Sequence, residues 1–185
     1  TQSDGERLAV LLELSRGFAA QRNFDDLLPL VIRHTQEVLN AEAFLLLLVD
    51  VAGTDLYFPV TSRAQEGLDR RPQNLRFPIS QRIVGPVVRT RQALLVNDVA
   101  GNRFFNPKID QQTGERTRSM ICAPLRRGDE VLGVIEVINC REGVFGESDL
   151  EFLEALAQSV SLAVETAKLV GDLRNTTARL AGEIS

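Results

Sequence analysis

Apolar residues recur at helical spacing at the two ends of the chain and at strand spacing between them. Leu8, Leu11, Leu12, Ser15 and Phe18 share one side of a helix over residues 3–20, with Ser3 and Glu6 at capping-box spacing. Asn23 to Asp26 break that pattern and open a second helix running to about Leu39. Pro29 is tolerated in its first turn, and Leu27, Leu30, Val31, Val38 and Leu39 make its stripe. The continuous apolar run Ala43–Val51 has strand length, and Gly53 with Asp55 supplies the turn that follows. Leu56–Val60 is a second strand, Thr61–Asn74 a polar loop, and Leu75–Ile79 a third, short strand.

Ser80 can cap a short helix covering Ile83, Val84, Val87 and Val88, with Pro86 in its first turns. Ala93–Val96 is a fourth strand. Residues 97–117 are rich in Asn, Asp, Gly, Pro and Thr without clean periodicity. An irregular connection of about 20 residues in a compact domain is usually functional or disordered. Two strands follow, Ser119–Leu125 and Val131–Asn139, joined by a turn over 126–130.

A long helix closes the pattern, from about 149 to 183, with Ser148 and Glu151 as its capping box. Leu153, Leu156, Val160, Ala163, Ala167, Val170, Leu173, Thr177, Leu180 and Ile184 line one side. Its length of about 50 Å exceeds what a small domain needs to cover a sheet. The far end is expected to project and pair with a second copy, Ala163 and Ala167 allowing close approach. Helices at both ends with antiparallel strands between them make an α+β domain. The expected units are an N-terminal helix (1–22), a central domain (23–165) and a coiled extension (166–185).

Composition narrows the function. Of 185 residues, 21 are basic and 25 acidic, a formal charge of −4. That balance lacks the basic footprint a phosphate backbone requires, and with no Trp, one Tyr and nine Phe there is no base-stacking platform, so nucleic acid is excluded as main partner. The longest purely apolar run, Ala43–Val49, is far short of a membrane span, and no secretory leader opens the chain. Cys122 and Cys140 allow one disulfide but no framework, and a reduced, cytoplasmic setting is expected. The single Met is Met120, which leads us to expect a piece of a longer protein.

Catalytic chemistry finds no constellation, and the expectation is a non-enzyme without metal or cofactor. His34 is alone on a helix with no companion nucleophile, and one His with two Cys makes no zinc site. Cys122 sits in an apolar strand, while Cys140 at a strand end is open to a redox-sensor reading. Gly143-Val144-Phe145-Gly146 has neither the spacing nor the lysine of a phosphate loop. The unusual stretch is Asn97–Leu125, which packs Asn106, Asp110, Thr113 and Thr117 directly before an apolar strand. Such side chains suit the edges of a small polar ligand above an apolar floor, and equally the turns and caps of a surface loop.

Three motifs carry a resemblance. FPISQRIVGPVVRTRQALLVNDV (77–99), Asn106-x-x-Ile109-Asp110-x-x-Thr113-x-x-x-Thr117 followed by RSMICAPL, and the set Asn139, Phe145 and Asp149 are together similar to the GAF domains of cyclic-nucleotide phosphodiesterases and cyanobacterial adenylyl cyclases. The likeness spans about residues 24–165. It implies a central antiparallel sheet with helices packed on one side and long terminal helices, holding a cyclic nucleotide (cAMP or cGMP) against the sheet. By that resemblance Ile83, Val84 and Gly85 bring helix N-terminal amides near the cyclic phosphate, and Asn106, Asp110, Thr113 and Thr117 belong to the segment closing over the ligand. Glu136 takes the Glu/Gln place on the last strand. Cys140 stands where the motif has Lys and Leu150 where it has Glu, so Arg141 is the candidate partner of Asp149. The upstream Ser and Phe-Asp positions have no clear counterpart, Thr61–Gln65 being the nearest region.

The expected function is a regulatory sensor that binds cyclic nucleotide and moves its flanking helices to control a fused output domain. It is expected to be a homodimer through the terminal helices, with no membrane insertion in this segment. The alternative is a dimerisation and relay domain without a small ligand. A bilin or haem sensor is disfavoured, since neither Cys122 nor Cys140 is followed by a His.

Overall fold

Strand residues alternate between two apolar sets, so the sheet they build must be covered on both faces. A computed structural model describes residues 4–19, 24–57, 76–81, 83–113 and 116–184. The elements are α1 (Asp4–Ala19), α2 (Phe24–Leu39), β1 (Ala41–Val49), β2 (Asp55–Tyr57), β3 (Arg76–Pro78), α3 (Gly85–Thr90), β4 (Leu94–Val96), α4 (Pro107–Thr113), β5 (Met120–Arg127), β6 (Glu130–Cys140) and α5 (Glu147–Ile184). The six strands form one antiparallel sheet in the order β3-β2-β1-β6-β5-β4.

One face carries Phe44, Leu46 and Leu48 of β1, Ile121, Ala123 and Leu125 of β5, and Ile135 and Val137 of β6. It packs against Leu14 of α1, Leu28 and Val31 of α2, and Leu153, Leu156 and Val160 of α5. The intervening residues Leu45, Leu47, Met120, Cys122, Val134 and Ile138 face the other way, beneath Ile79, Ile83, Val84, Val87 and Val99. The three long helices therefore share one side, as expected, and short α3 with loop residues covers the second. Each fully buried Leu or Ile contributes about 1.5–3 kcal/mol. Among the described side chains of α1 Leu14 alone is buried, whereas α5 buries many.

Several local details depart from the sequence reading. Leu8 and Leu12 are half exposed, and α1 instead turns Val10, Leu11 and Leu14 inward, because its apolar residues run around the helix in two stripes. The α2 helix starts at Phe24, so Pro29 lies in its interior rather than its first turn. The turn over 126–130 is tighter than expected: Arg127 pairs with Glu130, leaving Gly128 (φ +59) and Asp129 as a two-residue connection. The α5 helix is capped at Gly146, whose N–H donates to the Asp149 carboxylate at 2.8 Å, and Ser148 lies inside it. Beyond Val164, the described side chains Thr166, Ala167 and 177–182 are exposed, and Lys168–Thr176, with Val170 and Leu173, lie outside the described side chains. The expected cap at Ser3, the loop 61–74 and residues 58–60 also lie outside the described residues.

Candidate ligand-binding site

The face away from the long helices is apolar except at its centre. Glu136 on β6 is fully buried there, its strand neighbours being Cys122 on β5 and Leu45 on β1. Burying a carboxylate among aliphatic residues is costly unless it is hydrogen-bonded or paired, so this position is a chemical exception in the sheet.

The cover comes from two directions. Ile83 and Val84 are buried side chains of this face. Gly85 starts α3 so close to the preceding turn that an added Cβ would lie 2.6 Å from the Ile79 carbonyl oxygen. Only glycine fits that approach. No side chain caps α3: Val84 holds the capping position, against the expected Ser80, and Pro86 follows in the first turn. From the other direction Val99, Phe104 and Phe105 pack on the same face, with the Arg103 and Arg89 guanidiniums 4.7 and 5.7 Å from the Phe104 ring centre.

The described part of residues 97–117 is more ordered than its composition suggests. Asn102 Oδ1 accepts the Phe104 N–H, and Asn106 Oδ1 accepts the Lys108 N–H at 3.0 Å. Asn106 is thus the cap of α4, with Pro107 as its first residue, a start signal present in the sequence and overlooked there. At the far end Asp110 closes the segment on itself. Its two carboxylate oxygens accept the Thr117 N–H and hydroxyl, both at 2.8 Å. Among the described side chains, this brings Asp110 and Thr117 of the expected ligand residues into direct contact. Asn106 caps, Ile83, Val84 and Gly85 underlie α3, Glu136 lies on the sheet, and the Thr113 side chain lies outside the described ones.

The motif residues hold this segment to the body. Asn139, 3% exposed, accepts the Arg118 and Ser119 N–H groups and donates to the Arg116 carbonyl and to Glu42. Phe145 fills the helical-side core, its N–H and carbonyl both bonded to the Asn97 amide. Asp149 caps α5 and pairs with Arg7 of α1 at 2.6 Å, which corrects the expected Arg141 partnership. Asn97, Glu42 and Arg7 were missed, because their partners are 48, 97 and 142 residues away and no local spacing signals them. Neither cysteine forms a disulfide, and the Cys140 Sγ donates to the Glu142 carbonyl.

The Arg118 guanidinium beside Glu42 holds its carboxyl below the ordinary value of 4.5, with the Asn139 amide adding and burial opposing. A lowered folded pKa stabilises the fold above the ordinary carboxylate range, and that contribution is lost as pH falls through the lowered value. Glu42→Gln should therefore be less stable than the parent at neutral pH, with the gap closing on acidification below 4.5. Urea midpoints across pH check this. A gap independent of pH would show that the carboxylate charge is not what Arg118 and Asn139 recognise.

Comparison with known proteins places this geometry. A probable 3',5'-cyclic phosphodiesterase, pde-5, of Caenorhabditis elegans is 28% identical over 173 residues, covering 90% of this chain and 24% of the relative. The alpha' subunit of the mouse (Mus musculus) cone cGMP-specific 3',5'-cyclic phosphodiesterase is 32% identical over 116 residues, 62% of this chain and 14% of the relative. The chain thus spans a quarter or less of the length of these relatives. The GAF domain of a phosphoenolpyruvate-protein phosphotransferase from Coxiella burnetii superposes with a TM-score of 0.74 at 20% identity, covering 92% of this chain and 99% of that one. The GAF domain family profile matches residues 23–164, most of the sequence, and the chain belongs to that family.

Proposed function

We propose that this domain is the cytoplasmic regulatory sensor of a larger signalling protein, and that the face around Glu136 receives a cyclic nucleotide. The observation that carries this reading is a buried carboxylate centred on an apolar face, beneath α3 and the 99–105 segment. A carboxylate accepts donors of a purine edge, and the aliphatic surroundings suit its ring faces. The relatedness to cyclic phosphodiesterases supports the same ligand class. Binding closes the 97–117 segment over the ligand; its start is held by the Asn97–Phe145 bonds and its end by the Asp110–Thr117 clasp and by Asn139. The fused output domain then responds through α1 and α5, which also carry the homodimer contact. A ligand can bias those helices only by its differential affinity for their two arrangements.

Thr117→Ala is expected to weaken cyclic-nucleotide affinity about tenfold, since it removes one hydrogen bond of about 1.4 kcal/mol from the closed segment, and Asp110→Ala, which removes two, by more. The apo domain should lose only a comparable amount of stability, and nucleotide titrations paired with melting curves check both. Wild-type affinity in both variants would remove Asp110 and Thr117 from the site. A second reading is a relay domain without small ligand. It is favoured by the way Asn106, Asp110 and Thr117 spend polar atoms on the chain's own turns. Failure of a folded sample to bind either nucleotide would select it.

A further inference from the structure

On the helical side of the sheet, beside β4, lies a cleft of about 180 Å³ between β5 and α5. Arg91, Gln92 and Arg126 line the strand side, and Glu154, Gln158 and Ser161 the helix side, over a floor of small apolar residues. The volume is slightly above the roughly 150 Å³ that admits a benzene-sized molecule.

The two arginines are held in different ways. Arg126 has its backbone N–H bonded to Ser161 Oγ at 3.0 Å and its guanidinium to the Gly128 carbonyl at 3.2 Å. Ser161 is buried and in turn donates to the Ala157 carbonyl, so this wall is fixed to α5. Arg91 is the left-handed cap of α3, at φ 61. The other described non-glycine residues at positive φ, Asn40 and Asn139, belong to a type that tolerates it. Arginine does not. Its backbone N–H closes the helix on the Val87 carbonyl at 2.9 Å, while its side chain bonds the Asp129 carbonyl at 3.2 Å and pairs with the Asp129 carboxylate at 3.5 Å. That carboxylate is 92% exposed, and an exposed pair of this kind is worth little, so it holds the Arg91 guanidinium only weakly.

We propose that this cleft binds a small oxyanion that also carries a hydrogen-bond donor, such as an amino or hydroxy carboxylic acid or hydrogen phosphate. The oxyanion lies between Arg91 and Arg126, where planar guanidiniums recognise it by paired hydrogen bonds. The donor faces Glu154. Because Arg91 ends α3 and Ser161 belongs to α5, an occupant ties the helix over the candidate nucleotide face to the long terminal helix.

The test is thermal unfolding of the 185-residue chain with L-serine or inorganic phosphate, against chloride at matched ionic strength. Either probe should raise the melting temperature by about 3 °C at saturation. A rise with L-serine alone assigns a carboxylic acid, and a rise with phosphate alone assigns a phosphate. Arg126→Gln and Arg91→Gln should abolish the response, Glu154→Gln should weaken that to L-serine, and Arg103→Gln, outside the cleft, should keep it. Arg91→Gly relieves the backbone strain, so it should fold at least as well as the parent and still lose the response. No rise with either probe, or an equal rise in Arg91→Gly and Arg126→Gln, would overturn the proposal.

Discussion

Asn139→Ala is expected to lower the unfolding free energy by about 3–4 kcal/mol, enough to leave a domain of ordinary stability close to unfolding. The side chain makes four hydrogen bonds from a position 3% exposed to solvent. Its removal strands two N–H groups and a carbonyl, and takes one partner from Glu42. Buried or half-buried groups left in that state cost about 1–3 kcal/mol each when water cannot reach them, and less where it can. The backbone adds its own share, since Asn139 sits at φ 60. Alanine is disfavoured there by about 1–2 kcal/mol, whereas glycine is not. Asn139→Gly should therefore be the milder variant by about 1 kcal/mol. Urea unfolding of the two variants separates the hydrogen-bond loss from the backbone strain. A loss below about 1 kcal/mol in Asn139→Ala would mean that the 116–119 strand entry is anchored by other contacts.

Gly133→Ala should be similarly severe, for a steric reason. Gly133 lies on β6 opposite Leu48 of β1, and an added Cβ would stand 2.2 Å from the Leu47 carbonyl oxygen and 3.1 Å from the Leu48 Cα. Those atoms are backbone in the neighbouring strand at the middle of the sheet. They cannot yield without parting β1 from β6. A cost of about 3 kcal/mol or more follows, at the upper end for overpacked sites. Gly128→Ala is the natural contrast. At φ +59 with no atom within 4 Å of an added Cβ, it should cost only about 1–2 kcal/mol for the left-handed conformation. Equal costs at the two glycines would contradict the close approach of β1 to β6.

Much of this fold is written locally. The continuous apolar run AFLLLLVDV, the turn chemistry between Ser119–Leu125 and Val131–Asn139, and the helical stripe from Leu153 to Val160 place β1, β5, β6 and α5, because strand-length runs, turns and 3.6-residue burial need no distant information. The short elements were less legible. The α4 helix has seven residues, too few for a periodic stripe, and its Asn106-Pro107 start is a capping signal rather than an apolar one. The capping box of α5 was placed two residues late, since Ser148 and Asp149 both suit a cap and only the backbone decides between Ser148 and Gly146.

The candidate site divides in the same way. Asp110 and Thr117 were legible only through the family resemblance of the 106–117 string, and the geometry brings them together. Glu136 was likewise reached through the resemblance, as the Glu/Gln position of the strand Val131–Asn139. The network of Asn139, Glu42, Arg118 and Arg116 was not legible, because it joins β1, β6 and the end of the 97–117 segment across the sheet. Nor was the Arg7–Asp149 pair, since a motif read as Lys–Asp directed attention to Arg141 and away from α1.

The central claim is that the face around Glu136 receives a cyclic nucleotide. Calorimetric titration of the refolded, ligand-stripped chain with cAMP and with cGMP tests it most directly. We predict saturable binding of at least one of them at one molecule per chain, weakened by Glu136→Gln. A folded sample that takes up neither nucleotide would contradict the claim and leave the domain as a dimerising relay.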